Sequence, residues 1–372
     1  MPSRDLHATV RTALRAPADA TLVDSEFDAL ALRIFRHQFE NNAPYRAYCE
    51  RRGRTPSTVT HWTEVPPVPV AAFREVALVA GDPHDARVVF RTSGTTGGTE
   101  RRGAHYLIDP SIYEASLLPT FTAYLLPDGA RPDMLALIPP RRQMPDSSLA
   151  YMIDVVMRRL GGERSMYAVD AERGIDYDAA MAWLHEASQG ERPVALLGTS
   201  FSFVHLLDTM AASTARVHLP AGSRLMDTGG YKGRSREVPA DELRRLYTEY
   251  LGIEPAYCIN EYGMTELCSQ YYDATLHDAV RGDTGRPRRK KGPPWLRARV
   301  LDPDTLQPVP AGSVGILAHY DLANVDSVLA ILTEDLGHEV EDGFVVLGRA
   351  QGATPRGCSI ALDDLLSATR DR

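Results

Sequence analysis

Lysine is nearly missing from this 372-residue sequence: of its 41 basic residues only Lys232, Lys290 and Lys291 are lysines, the rest being arginine. A reaction that needs an ε-amino group has three places to find one. Cysteine is sparse as well, at Cys49, Cys258, Cys268 and Cys358, widely spaced and without Cys-x-x-Cys, which argues against a disulfide framework or a zinc knuckle. No apolar run approaches the roughly 20 residues of a membrane-spanning helix, and none follows a basic start as in a secretory leader; the expected compartment is a reducing cytoplasm. Against 49 acidic residues the basic ones leave a mild net charge of −8, which does not suit a general nucleic-acid or membrane-surface binder. The chain also lacks the Walker phosphate loop, the dinucleotide pattern Gly-x-Gly-x-x-Gly and the hydrolase elbow Gly-x-Ser-x-Gly. It contains no internal repeat and no low-complexity segment.

What is present begins with Phe90-Arg-Thr-Ser-Gly-Thr-Thr-Gly97. Gly94 and Gly97 let successive backbone N–H groups turn toward one point, and the hydroxyls of Thr92, Ser93, Thr95 and Thr96 add donors around an anion. The apolar run Arg87–Phe90 before it predicts a buried strand, so the loop leaves a strand end, where α/β proteins bind ligands. Taken alone, the segment reads equally as a phosphate cradle or a surface turn. A second segment, Tyr257-Cys-Ile-Asn-Glu-Tyr-Gly-Met-Thr-Glu266, supplies Tyr262 to stack on a purine, Thr265 to donate to a phosphate oxygen and Glu266 to ligate Mg²⁺. The alternative places Tyr262 in the core and Glu266 on a solvated surface.

Periodicity predicts an α/β chain. Helical spacing marks 26–39, the stretch after Pro110, 149–160, 177–189, 201–212 and 241–252; apolar runs mark strands at 87–90, 134–138, 194–197 and 224–226. Such alternation implies a largely parallel sheet covered by helices. The proline-rich stretch 63–70 must be extended. Beyond Gly285 the pattern changes to strands joined by turns, at 296–301, 315–319 and 344–347. The expected division is a helical part at 1–85, an α/β nucleotide-binding part at 86–283, a β-rich part at 284–350 and a short tail at 351–372. The basic run 286–291 reads as a solvated loop, His105 as a packed or surface residue, and Trp62, Trp183 and Trp295 as core.

Taken together, the two segments resemble the phosphate loop and the Tyr-Gly-x-Thr-Glu element of the adenylate-forming superfamily, which includes acyl-CoA synthetases and luciferases. Further elements follow in order. Asp227-Thr-Gly-Gly-Tyr-Lys232 resembles the glycine element beside the adenine, and Thr284-Gly-Arg-Pro287 the turn before a small β-hairpin. Leu332-Thr-Glu-Asp335 resembles the "TGD" segment that holds the ribose, and Gly348-Arg349 the "GR" hinge. Within the superfamily the chain is most similar to LuxE-type acyl-protein synthetases, through its length, its short N-terminal segment and the tail Arg356-Gly-Cys-Ser359; 35–45 also resembles the opening of phenylacetate-CoA ligases.

The resemblance implies a carboxylic acid activated by ATP to an acyl-AMP. Thr92, Ser93, Gly94, Thr95, Thr96 and Gly97 would hold phosphates, Gly229 and Gly230 admit the adenine, and Tyr262 with Gly263 cover it. Thr265 would address the α-phosphate, Glu266 Mg²⁺, and Asp335 and Arg349 the ribose. In LuxE-type proteins the acyl group passes to a cysteine near the C-terminus, here Cys358, on a tail expected to swing and with Arg356 expected to lower its pKa. The implied partners are an acyl reductase, a carrier protein or another acyl acceptor. The chain departs from the family pattern in two places. Gly98-Thr-Glu-Arg-Arg102 replaces the lysine-bearing end of the phosphate loop, and only 23 residues follow Arg349, too few for the family's mobile C-terminal domain and its lysine. Lys232, then Arg356, are the substitutes within reach. Two rival readings remain: transfer to coenzyme A, a carrier protein or an amine with Cys358 passive, and a nucleotide-binding scaffold without catalysis.

Overall fold

The computed structural model describes residues 2–92, 102–229, 236–283, 285–349 and 356–370. The chain forms two compact units, neither continuous in sequence: Met1–Thr120 with Met264–Gln270 and Arg289–Arg372, and Phe121–Gly263 with Tyr271–Arg288.

The second unit is the α/β layer. Strands Met166–Tyr167, Asp133–Leu137, Val194–Thr199, Arg224–Thr228 and Cys258–Tyr262 run parallel in that spatial order, and Tyr271–Asp273 pairs antiparallel with the last. Parallel strands covered on both faces must be apolar almost throughout, and Asp133–Leu137 and Arg224–Thr228 are buried at every position. Helices Ser148–Leu160, Tyr177–Ser188 and Ser200–Ala212 start on Ser147, Asp176 and Thr199, whose side-chain oxygens accept backbone N–H bonds from Ala150, Ala179 and Ser202; a cap of this kind stabilises a helix by about 1 kcal/mol. Helix Ala240–Leu251 ends at Gly252, φ +71°, where a Cβ would stand 3.1 Å from His218 Cα, so the turn and the close approach both require glycine. Phe203, Leu207, Tyr247 and Leu251 from the helices meet Leu135, Leu196 and Leu225 from the strands in one core.

The first unit is built on an antiparallel ladder of Leu296–Leu301, Gly315–Asp321, Ala330–Val340 and Gly343–Arg349, with Lys290–Lys291 against the last and Val68–Pro69 joining Ala330–Val340 in parallel. Ala330–Val340, 11 residues long, is not among the strands the sequence predicts. Helix Arg356–Arg370 lies against helix Ala43–Arg51, strand Val68–Pro69 and strand Ala330–Val340. Its start is pinned: the Gly357 N–H donates to Pro303 O at 2.8 Å, and a Cβ on Gly357 would stand 2.6 Å from that oxygen.

Residues 322–329 are buried without belonging to a helix or strand, so polar side chains must satisfy their backbone. Gln38 Nε2 donates to Asn324 O (2.7 Å) and its Oε1 accepts from Leu329 N (2.8 Å), while Asp321 Oδ1 accepts from Ala323 N (2.9 Å). Asp326 accepts the N–H groups of Ile108 and Asp109, both at 2.8 Å.

The basic run at 286–291 is not the solvated loop expected. Arg288 pairs with Asp273 at 2.6 Å in the second unit; in the first, Arg289 and Lys290 are buried and Arg289 and Lys291 converge on Asp342. Arg286 is exposed, but Arg288, Arg289 and Lys291 each have a carboxylate to meet, a condition that spacing in sequence does not reveal.

Candidate active site

Strands Val88–Arg91 and Ala104–Leu107 form an antiparallel hairpin, Arg91 opposite Ala104. Ser93, Gly94, Thr95, Thr96 and Gly97 at its tip lie outside the described residues, as do Gly230 and Lys232. Thr92 closes the neck: its N–H donates to Gly103 O and its Oγ1 accepts from Gly103 N, both at 2.9 Å, and Arg102 Nε donates to its carbonyl at 2.6 Å. The neck of the hairpin is therefore braced.

In the second unit, Thr199, Thr228 and Glu261 are neighbours in register at the C-terminal edge of the parallel sheet, where ligands of α/β folds bind. The Thr228 hydroxyl donates to Glu261, and Asp227 accepts from Tyr247 OH (2.9 Å) and Asn260 Nδ2 (2.7 Å). Gly229 follows with φ +73° and open space where a Cβ would project, and its carbonyl accepts from Ser200 Oγ at 3.1 Å. Tyr262 is half-buried with its ring 6.1 Å from that of Tyr271, and Gly263 is half-buried after it.

In the first unit Thr265 is half-buried and Glu266 only 6% exposed, which removes the solvated-surface reading of Glu266. Their two carbonyls are held by Nδ1 of His105 (2.7 Å from Thr265 O) and Nδ2 of Asn324 (2.9 Å from Glu266 O). Asp335 and Arg349 stand directly opposite one another on adjacent antiparallel strands, Arg349 Nε to Asp335 Oδ1 3.8 Å. Asp335 lies within a register slip, between the pairs Ile316–Leu336 and Ala318–Leu332, and just before a second one between Leu336 and Gly337; such bulges re-aim side chains and often flank functional sites. Thr333 Oγ1 accepts from Asp335 N at 3.0 Å and donates to Leu317 O at 2.8 Å.

Cys358 does not sit on a loose tail. It belongs to helix Arg356–Arg370, is 3% exposed, and its thiol donates to Thr333 O at 3.5 Å. Burial, with a smaller push from the Glu334 carboxylate, raises the thiol to about 12. The expected lowering by Arg356 is not found: that side chain is exposed at the helix start, while Cys358 faces inward. A cavity of ≈ 200 Å³ opens beside the thiol, lined by Pro69, Val70, Leu332, Glu334, Leu362 and Asp363 among others. Cys49, Cys258 and Cys268 are buried packing residues with thiols raised by the same desolvation. Among the described residues no group of three or more His, Cys, Asp or Glu side chains forms a metal cage.

His105 is packed, as expected, but its bond to Thr265 was not legible, and Asn324 drew no notice in the sequence. An Asn-Val-Asp-Ser run inside an otherwise apolar stretch was the available signal.

A family model described as acyl-protein synthetase, LuxE, matches residues 23–367. The long-chain-fatty-acid–luciferin-component ligase of Vibrio harveyi is 23% identical over 353 residues, 91% of this chain and 87% of the relative; that of Aliivibrio fischeri is 22% identical over 91% and 88%. Among solved structures, an open conformation of 2-hydroxyisobutyryl-CoA ligase with 2-HIB-AMP and CoA superposes with a TM-score of 0.63 at 17% identity, covering 90% of this chain and 79% of that one. The same ligase in its postadenylation state gives 0.60 at 18%, covering 91% and 70%.

Proposed function

Since the chain belongs to the LuxE family of acyl-protein synthetases and has the adenylate-forming ligase fold, we propose that it activates a carboxylic acid with ATP and carries the acyl group on Cys358 for delivery to a partner acyl reductase. A carboxylate oxygen attacks the α-phosphorus and pyrophosphate leaves; the Cys358 sulfur then attacks the acyl carbon, AMP leaves and the thiol proton is released. The protein's part is positioning and charge neutralisation.

In this reading Thr92, Ser93, Gly94, Thr95, Thr96 and Gly97 hold the outgoing phosphates and Gly229 and Gly230 border the adenine under Tyr262 and Gly263. Thr265 donates to the α-phosphate, Asp335 and Arg349 hold the ribose, and Lys232 or Arg356 supplies the cation that the family's lysine provides. Glu266 is the one carboxylate assigned to Mg²⁺. A lone carboxylate suits that ion, which takes its remaining oxygens from phosphates and water and neutralises phosphate charge when bound. The relatives' names point to a fatty acid as substrate.

One observation supports the acyl step most. The Cys358 thiol is bonded to Thr333 O, and Asp335, the ribose candidate, lies two residues further along the same bulged strand. The test is intact mass after incubation with ATP and a panel of acids. An acyl adduct, removed by hydroxylamine and absent in Cys358→Ala, supports the reading; acid-dependent pyrophosphate exchange without an adduct removes the thioester and leaves activation.

A specific observation favours a second reading, in which coenzyme A, a carrier protein or an amine takes the acyl group. A thiol held near 12 is protonated at neutral pH and a poor nucleophile until its surroundings change. Adduct-free turnover on adding one of those acceptors would favour it.

A further inference from the structure

The assignments above leave out His105 and Asn324, yet these two side chains hold both carbonyls of the Thr265–Glu266 turn. His105 is in the strand that leaves the 93–101 loop, is fully buried, and presents its ring to the edge of Phe73 (centroids 6.0 Å). Its Nδ1 is 2.7 Å from Thr265 O and its Nε2 2.9 Å from Asn324 Oδ1, and Asn324 Nδ2 donates to Glu266 O at 2.9 Å. Asn324 is itself fixed: its carbonyl accepts from Gln38 Nε2 at 2.7 Å, and the Cys268 thiol points at its Oδ1 from 3.8 Å.

The proton inventory is tight. A peptide carbonyl only accepts, so Nδ1 of His105 carries a hydrogen. For the same reason Asn324 must turn its NH₂ to Glu266 O, which leaves Oδ1, also only an acceptor, facing Nε2. Both bonds from the ring are made together only by the imidazolium; the neutral ring makes one and loses the other. Burial holds the imidazole below its ordinary value, opposed by these two hydrogen bonds and by the Asp326 carboxylate, which in turn pairs with His7 at 2.6 Å.

We propose that His105, together with Asn324, is a positioning residue for adenylation: it fixes the Thr265–Glu266 turn against the hairpin of Val88–Arg91 and Ala104–Leu107, without touching substrate. The proposal rests on the reading of that turn and loop as the ATP-handling parts. A displacement of about 1 Å in a reacting geometry costs on the order of 100-fold in rate, and a brace of one bond from the ring to Thr265 O and one from the Asn324 amide to Glu266 O is suited to prevent it.

The test uses the full chain, with His105→Phe removing both bonds, His105→Gln restoring a donor, and Asn324→Ser. In acid-dependent pyrophosphate exchange, His105→Phe is expected to lower kcat about 30-fold or more while KM for ATP moves less than about threefold, and His105→Gln is expected to recover part of the loss. The double variant His105→Phe/Asn324→Ser is expected to be no worse than the poorer single one, as for two members of one unit. Amide hydrogen exchange of the peptide spanning 264–268 should rise about tenfold in His105→Phe. An unchanged kcat in His105→Phe, full additivity, or unchanged exchange at 264–268 overturns the proposal. A wild-type chain inactive with every acid counts against the proposed function instead, and the hydrogen-exchange result still decides on His105.

Discussion

The parallel strands and the antiparallel ladder place their candidate residues in different ways. In the parallel sheet the polar groups collect where strands end, at Thr199, Thr228 and Glu261, and are tied to one another: Asp227 is consumed by Tyr247 and Asn260. In the antiparallel ladder Asp335 lies mid-strand within one register slip and next to another, and Arg349, 66% exposed at its side chain, approaches it to 3.8 Å. A buried aspartate with two good donors is a structural part. On the reading proposed above, one facing a long arginine from the neighbouring strand is placed to meet a ligand. The same residue type thus takes two strong donors in one unit and faces a distant arginine in the other, a difference the sequence does not show.

The sharpest way to break this contrast is to remove both aspartates. Asp335→Ala is expected to raise KM for ATP about 100-fold, the worth of two hydrogen bonds to a charged group, with little change in melting temperature. Asp227→Ala should do the reverse, costing about 2–4 kcal/mol in denaturant unfolding. If Asp227→Ala instead weakens ATP binding and leaves stability alone, the contrast fails. A smaller effect is expected from glycine. Gly357→Ala drives a methyl into Pro303 O and should cost about 1–3 kcal/mol, whereas Gly229→Ala, with open space but positive φ, should cost about 1 kcal/mol; thermal melts of the pair compare steric clash with backbone strain. The smallest concerns Cys358. Its thiol is raised from 9.0 to about 12, so between those values the folded chain keeps a proton the unfolded chain releases, and this contribution to stability is lost as pH climbs through that window. Glu334→Gln removes a negative charge beside the sulfur and should speed iodoacetamide alkylation of the Cys358 peptide a few-fold at pH 8.5; a slower reaction would show that Glu334 acts otherwise.

Much of the α/β unit was legible because parallel strands announce themselves as apolar runs. Val194–Thr199 and Arg224–Thr228 extend past their predicted ends at 197 and 226, and the added residues include the polar Thr199, Asp227 and Thr228 at the C-terminal edge of the parallel strands. Ala330–Val340 is not marked as a strand because Glu334 and Asp335 interrupt its apolar pattern; its place depends on partners from distant parts of the chain. Helix Arg356–Arg370 was read as a motif rather than by its period, although Cys358, Ala361, Leu365 and Ala368 are buried at the spacing of a helix face. The His105–Asn324 bond joins residues 219 positions apart, a pairing that no local pattern contains.

Because Gly357 fixes where the last helix begins, Cys358 is leashed to Arg349 by nine residues, a contour of about 30 Å at full stretch. On the reading proposed above, hand-over from a nucleotide held at Arg349 to that sulfur would occur within one chain. Its rate should be first order and indifferent to dilution, with a local thiol concentration on the order of millimolar that free thiols outside would have to match.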